Sequence, residues 1–270
     1  MSYSSDKGLN QFGYLLEIRT QSISIIGPAT QTKNHIPGVF DSEGRWCTTE
    51  DGIAEVAKSY FKDLFAATPT DNIEGVLQAI ERRVTPQMND RLTQQYTLDK
   101  VWTALFQMHP LKALGPDDMS PFFFQKYWHI VGHDVTKVVL SFLHSSDMLK
   151  KMNHTHIVLI PKKDPTHLVD YRPISLGNVV SRIISKVIAN QLKYIFPNVV
   201  SESQSAFVPN RRITNNITVA YELLHKMRNK RRGKVGHMAV KLDTSKAYDR
   251  VDWKFLQNIM CKLGFDQRWV

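Results

Sequence analysis

Cysteine is almost missing from this sequence: Cys47 and Cys261 are the only two, and they form no Cys-x-x-Cys pair. That excludes a zinc module and a disulfide framework, and it suggests a reducing, intracellular compartment, nucleus or cytoplasm. Long apolar runs are missing too. None approaches the roughly 18–20 residues of a membrane span, so no membrane partner is expected. The opening MSYSSDKGLNQF has no apolar stretch of signal-peptide length. Internal repeats and low-complexity tracts are absent. His129/His133 have helical metal spacing and His154/His156 strand spacing, but neither pair has a third ligand or an HExxH glutamate. They read as ordinary surface or core histidines.

What the chain does have is an uneven excess of positive charge. The net charge is +10 over 270 residues. Residues 1–100 hold 10 Lys/Arg against 13 Asp/Glu, whereas the remainder holds 25 against 12. Such asymmetry suggests that the second part meets a polyanion. The densest stretch is Lys226–Lys234 (KMRNKRRGK), where six of nine residues are basic, including Lys230, Arg231 and Arg232. Taken alone, the run is as compatible with a solvated loop as with a nucleic-acid contact.

Hydrophobic periodicity gives a mostly helical chain with a few strands. Residues 1–48 show little periodicity and are expected to be irregular. Ile53, Val56, Ala57, Tyr60, Phe61, Leu64 and Phe65 fall on one helical face, with Thr49 or Asp51 as cap. Further helices are expected near 72–84 and 98–108, from Ser120-Pro121 to about His129, and over 134–145. His156–Pro161 and Leu168–Ile174 read as a hairpin around the turn KKDP. Asn178–Phe196 and Ile213–Met227 are amphipathic helices separated by a loop, Gln204–Arg212. Met238, Val240 and Leu242 alternate at strand spacing, and a helix over 252–262 is stopped by Gly264.

Asp243 closes that last strand. Strand ends are where carboxylates gather to hold Mg²⁺ for phosphoryl or nucleotidyl transfer. A lone Asp there more often caps the following turn, and a phosphatase-type nucleophile is a second alternative. That alternative needs further acid and Lys motifs, for which the 27 residues after Asp243 leave no room.

The surrounding residues decide the matter. HMAVKLDTSKAYDRVDW resembles motif A of reverse transcriptases, most closely that of plant LINE-type (non-LTR) retrotransposons. The resemblance implies that Asp243 is the catalytic and metal-binding carboxylate. Tyr248 would pack under the sugar and exclude a 2′-hydroxyl, and Thr244, Ser245 and Ala247 would lie beside the triphosphate. NHTHIVLIPKKDPTHLVDYRPISL resembles the fingers hairpin and RPIS signature, whose cations grip the incoming triphosphate. Arg172 best matches that role, with Lys162 next, and a planar guanidinium suits phosphate oxygens. SQSAFVPNRRITNNI resembles the QSAFVPGR-ITDN segment, which puts Gln204 and Arg211 near the template. FQMHPLKALGPDDMS resembles the HPxKAPGPDGM segment of non-LTR enzymes, and DGIAEVAKSYFKDLF resembles the linker that follows their endonuclease.

The implied class is α+β: mostly helical fingers with a β-hairpin, then the first strand and helix of a right-hand polymerase palm, incomplete. The expected divisions are 1–48 irregular, 49–105 helical linker or N-terminal extension, 106–235 fingers, and 236–270 start of the palm. Implied partners are an RNA template, a DNA primer and dNTPs, with two Mg²⁺ ions in the full-length enzyme. Leu114 stands where the family has Pro, Asp118 and Asn210 where it has Gly, Asn215 where it has Asp, and Gly177 where it has Cys. The Tyr/Phe-Ala-Asp-Asp motif that supplies the remaining metal carboxylates is not among these 270 residues. Two-metal catalysis fixes ions about 3.5–4 Å apart with carboxylates from both motifs. The chain alone is therefore expected to be inactive. The competing expectation is a non-enzymatic retrotransposon remnant with a basic RNA- or DNA-binding surface.

Overall fold

The computed structural model describes residues 36–66, 73–145, 152–162, 164–230, 236–243 and 246–270, and the backbone course of 16–18. In chain order, β1 is Leu16–Ile18, and β2 (Val39–Phe40) and β3 (Trp46–Cys47) form a two-stranded antiparallel sheet. The expected irregular segment thus contains short strands, too brief to leave a period in the sequence.

Helix α1, Glu50–Phe65, begins where Thr49 accepts the Gly52 amide and carries two acids in its first turn, which suits the helix dipole. Next, α2 is Ile73–Gln78 and α3 is Pro86–Leu92, and α3 is capped by the Thr85 hydroxyl with Pro at its start. Thr85-Pro86 marks this start by its own chemistry, just beyond the helix expected over 72–84. Helix α4, Leu98–Phe106, is capped by Thr97. Then α5 (Pro121–Lys126) and α6 (Trp128–Ser145) meet at Tyr127, so the expected break before residue 134 does not occur. Gly132 lies inside α6 because a Cβ there would come within 2.6 Å of the Trp128 ring.

The hairpin follows: β4 is Thr155–Pro161 and β5 is Tyr171–Gly177, with a 3₁₀ turn over Leu168–Asp170 between them. β4 pairs antiparallel with β5 and parallel with β1. Helices α7 (Val179–Leu192), α8 (Phe196–Val199) and α9 (Ile213–Asn229) come next. Last are a 3₁₀ turn, Ala247–Arg250, and α10, Trp253–Leu263. The cap of α10 is as expected. Asp252 accepts the Phe255 amide, and Gly264 ends the helix at φ 94°.

The chain divides into two compact units. The first comprises residues 1–64 and 96–188 and holds two apolar clusters. In one, Val101, Ala104 and Leu105 of α4 meet Val135 and Val139 of α6 and Val179, Ile183, Ile184 and Val187 of α7. In the other, Ile53, Ala57 and Phe61 of α1 pack on Ile157, Leu159, Leu168 and Tyr171 of the hairpin region. Each fully buried side chain of this size is worth about 1.5–3 kcal/mol of transfer free energy.

The second unit comprises residues 65–95 and 189–270. Its core is smaller: Val84, Leu92, Ile195 and Phe265, with Met260 and Leu263 against them. Polar bonds tie α3 to the end of α10. The Arg83 and Val84 amides both donate to the Leu263 carbonyl, and the Asn89 side chain donates to the Gly264 carbonyl while accepting the Asp266 amide.

The architecture is α+β, as the sequence implies, and the last expected strand is a further correction. Met238–Leu242, expected as a strand, pairs with no strand among the described residues, and 236–243 are exposed. Alternation alone does not make a strand, because its stability comes from the ladder and from a covered face. No described helix is long and apolar enough to cross a membrane.

Candidate nucleotide site

The hairpin's register decides which side chains share a face. Ile160 lies opposite Arg172, and opposed residues of an antiparallel pair point the same way. Lys162 is two residues beyond Ile160, so it lies diagonally from Arg172 on that face. The other face carries Ile157, Leu159 and Tyr171, which are buried against α1. One residue of slip would send the two cations into the core, so the burial of Ile157 and Leu159 fixes their position.

The hairpin turn is wired internally. Asp170 accepts the Thr166 and His167 amides through one carboxylate oxygen. Those two amide bonds, with the nearby His167 and Lys162 charges, hold its carboxyl below the ordinary value of 3.8. The Lys162 amide donates to the Asp170 carbonyl, and its ammonium donates to the Val169 carbonyl at 3.1 Å. Arg172 is exposed, and no described residue accepts from its guanidinium. Of the two cations, Arg172 is the more available.

At the other end of β5, Gly115 of the LGPDD loop approaches so closely that a Cβ would lie 2.5 Å from the Gly177 carbonyl oxygen. The Asp117 amide donates to the Asn178 side chain, and Arg182 of α7 donates to the Ala113 carbonyl at 2.8 Å. Burial lowers the Arg182 pKa from its usual value, and the Asp117 charge opposes the shift. Asn178 and Ser181 also both donate to the Met152 carbonyl. Asn178 and Arg182 therefore join the loop to the end of the hairpin. Nothing in the spacing of LGPDD signalled these partners.

In the second unit, the loop 201–212 is shaped by Arg211. Its guanidinium donates to the carbonyls of Ser201, Gln204 and Pro197. Gln204 donates to the Ala206 carbonyl, and Ser205 and Asn216 are joined at 2.8 Å. Arg211 and Gln204, expected near a template, here spend their donors on the loop's own backbone. Asn210 has φ 63°, and in the first unit Asp118 has φ 51°. Both stand where the resembling family has Gly, and both adopt the conformation that favours Gly.

Asp243 is exposed at the end of the unpaired segment. Thr244, Ser245, Arg231 and Arg232 lie outside the described residues. Lys246 has φ 52° and leads into the 3₁₀ turn that carries Ala247 and Tyr248. Tyr248 is exposed, and its ring meets that of Phe207 edge to face at 6.3 Å. Phe207 was missed by sequence reasoning, since an apolar residue in a loop gives no sign of what it touches. Lys230, at the end of α9, has its ammonium 2.6 Å from His237 Nε2.

No group of three or more His, Cys, Asp or Glu that could hold a metal exists among the described residues. Asp243 is one carboxylate, and one carboxylate does not fit a pair of ions, so no chemical step through a metal follows from this geometry.

Residues 160–270 match the family model for reverse transcriptase (RNA-dependent DNA polymerase). This stretch includes Lys162, Arg172, the 201–212 loop, Asp243 and Tyr248. The chain is also similar to a 149 kDa protein of transposon TX1 from Xenopus laevis, 28% identical over 241 residues. That alignment covers 88% of this chain and 18% of the transposon protein's length. Residues 160–270 are thus similar to reverse transcriptases, and the chain as a whole is similar to a transposon protein.

Proposed function

We propose that this chain carries the fingers and the start of the palm of a LINE-type (non-LTR) reverse transcriptase of plant origin. In the full-length enzyme that domain adds dNTPs to a DNA primer on an RNA template, by two-Mg²⁺ catalysis with Asp243 as one metal carboxylate. Arg172 and Lys162 bind the triphosphate, Thr244, Ser245 and Ala247 flank it, and Tyr248 faces the sugar. Gln204, Arg211, Lys230, Arg231 and Arg232 lie on the template side.

The observation that carries the reading is the shared hairpin face of Lys162 and Arg172, within the stretch that matches the reverse transcriptase family. A cation pair held by a buried opposite face is preorganised for phosphate. Arg172, with no acceptor among the described residues, offers its fork at little reorganisation cost.

The test is binding of a fluorescent dNTP to the chain with Mg²⁺. Arg172→Ala is expected to weaken binding about 10- to 150-fold, since one charge-assisted bond is worth about 1.5–3 kcal/mol, and Lys162→Ala by less. Equal binding by wild type and Arg172→Ala would remove the triphosphate role. Because the 270 residues carry one of the two carboxylate motifs, the chain by itself is expected not to extend a primer. Incorporation by it in a primer-extension assay would overturn that expectation.

A further inference from the structure

Phe207 is a bulky residue at φ 63°, a backbone region that such side chains rarely enter. Strained residues persist where their surroundings over-determine them. Here the surroundings are the loop's own wiring. Arg211 gathers the Ser201, Gln204 and Pro197 carbonyls, Asn216 donates to the Ser203 carbonyl, and Ser205 is buried and bonded to Asn216. Burial of the ring is not the reason for the strain, because Phe207 is 82% exposed. What its ring does have is the ring of Tyr248, itself 78% exposed, at 6.3 Å and 87° between planes. An exposed tyrosine on a short turn would otherwise sample several rotamers. Edge-to-face packing against the Phe207 ring, carried on a backbone that the loop's wiring holds, narrows them.

We propose that Phe207 is a positioning residue that holds the Tyr248 ring as a wall against the sugar of an incoming nucleotide, and so sets the preference for deoxyribose over ribose. This rests on the reading of Tyr248 given above. Excluding a single oxygen atom needs a stationary wall. A ring free to rotate would let a 2′-hydroxyl pass at little cost. Phe207 touches the tyrosine rather than the nucleotide, so its effect falls on discrimination more than on triphosphate affinity, which belongs to Arg172 and Lys162.

The experiment uses the full 270-residue chain with Mg²⁺ and compares the dissociation constants of dATP and ATP. Phe207→Gly removes the ring and suits the backbone, so loss of folding does not confound it. The ATP/dATP ratio is expected to fall about 3- to 10-fold in Phe207→Gly, the size of one aromatic pair, and to return in Phe207→Tyr. Proton NMR with labelled tyrosine is expected to show the Tyr248 ring resonances moving in Phe207→Gly. If those resonances stay put, the ring contact is absent and the proposal falls. If they move while the nucleotide ratio is unchanged, the contact exists without the role, and the proposal falls on function alone. A wild-type chain that binds dATP and ATP equally, or neither, removes the Tyr248 reading and this inference with it.

Discussion

Helices α7 and α9 carry the same kind of sequence and meet different fates. Both repeat apolar residues at helical spacing, although α7 follows strand β5 directly and α9 follows a loop. In α7, Val179, Ile183, Ile184 and Val187 are buried against α4 and α6. In α9 no residue is buried, and Ile217 is 63% exposed. Amphipathicity states that a face favours cover and does not state what supplies it. For α7 the cover lies in the same unit. For α9, and for the exposed alternation Met238–Val240–Leu242 after it, no cover lies among the described residues. The difference therefore separates the part of the domain whose geometry is set by its own core from the part where the proposed catalytic carboxylate sits.

The largest test of that comparison is a matched pair of truncations. Ile183→Ala removes a fully buried side chain and is expected to cost about 2–5 kcal/mol. Ile217→Ala is expected to change stability by no more than about 0.5 kcal/mol. Urea unfolding followed by circular dichroism reads both. Similar losses for the two would mean that α9 is covered in solution, and the contrast would break.

A second test bears on the joint between the LGPDD loop and the hairpin's end. Arg182→Met keeps the stem's packing but removes the bond to the Ala113 carbonyl, leaving a partly buried acceptor unpaired. The expected cost is about 1–3 kcal/mol, again by urea unfolding. A neutral result would show that the loop finds another donor.

Where the fold was legible, a single local cause was enough. Thr97 before Leu98, Asp252 before Trp253 and Gly264 after Leu263 mark helix ends by their own chemistry. The hairpin followed from two apolar runs around a polar turn. What could not be read was set by partners distant in sequence. The strand at 238–242 required a ladder, and the roles of Asn178 and Arg182 required knowing that residues 113–117 return to them. In α7 the buried stripe is Val179, Ile183, Ile184 and Val187, the spacing of one helical face, but which element covers it could not be read locally. At the candidate site, the register that pairs Lys162 with Arg172 was implicit in the hairpin. The Phe207–Tyr248 contact was not, since it joins two loops.

Smaller effects are expected at Asp118 and Asn210. Each sits at positive φ, one in each unit, where an L side chain is strained and Gly is not. Asp118→Gly and Asn210→Gly are each expected to stabilise by a few tenths to about 1 kcal/mol, because relief of the left-handed backbone outweighs the added freedom of the unfolded chain. Thermal melts of the single variants check this. A loss at either position would show that its side chain is needed in the turn.

The smallest effect concerns the charge that shapes the hairpin turn. In the folded chain the Asp170 carboxyl is held below its ordinary value of 3.8, chiefly by the His167 amide and then by the Thr166 amide. A depressed carboxylate contributes stability that is fully present above the unfolded value and is lost as pH falls through the folded one. The turn should therefore tighten Lys162 at neutral pH and loosen only below about 3.8. Asp170→Asn should abolish that acid dependence, since an amide does not titrate in this range. Amide hydrogen exchange at Thr166 and His167, compared between wild type and Asp170→Asn across pH 2.5–5 after correction for intrinsic rates, reads the effect directly. Because the site is almost fully solvated, protection should change at these two amides and leave Ile157 and Leu159 on the buried face untouched. If protection were lost at those strand residues as well, the turn would be setting the register, and the division between a core-set hairpin and a locally set tip would have to be redrawn.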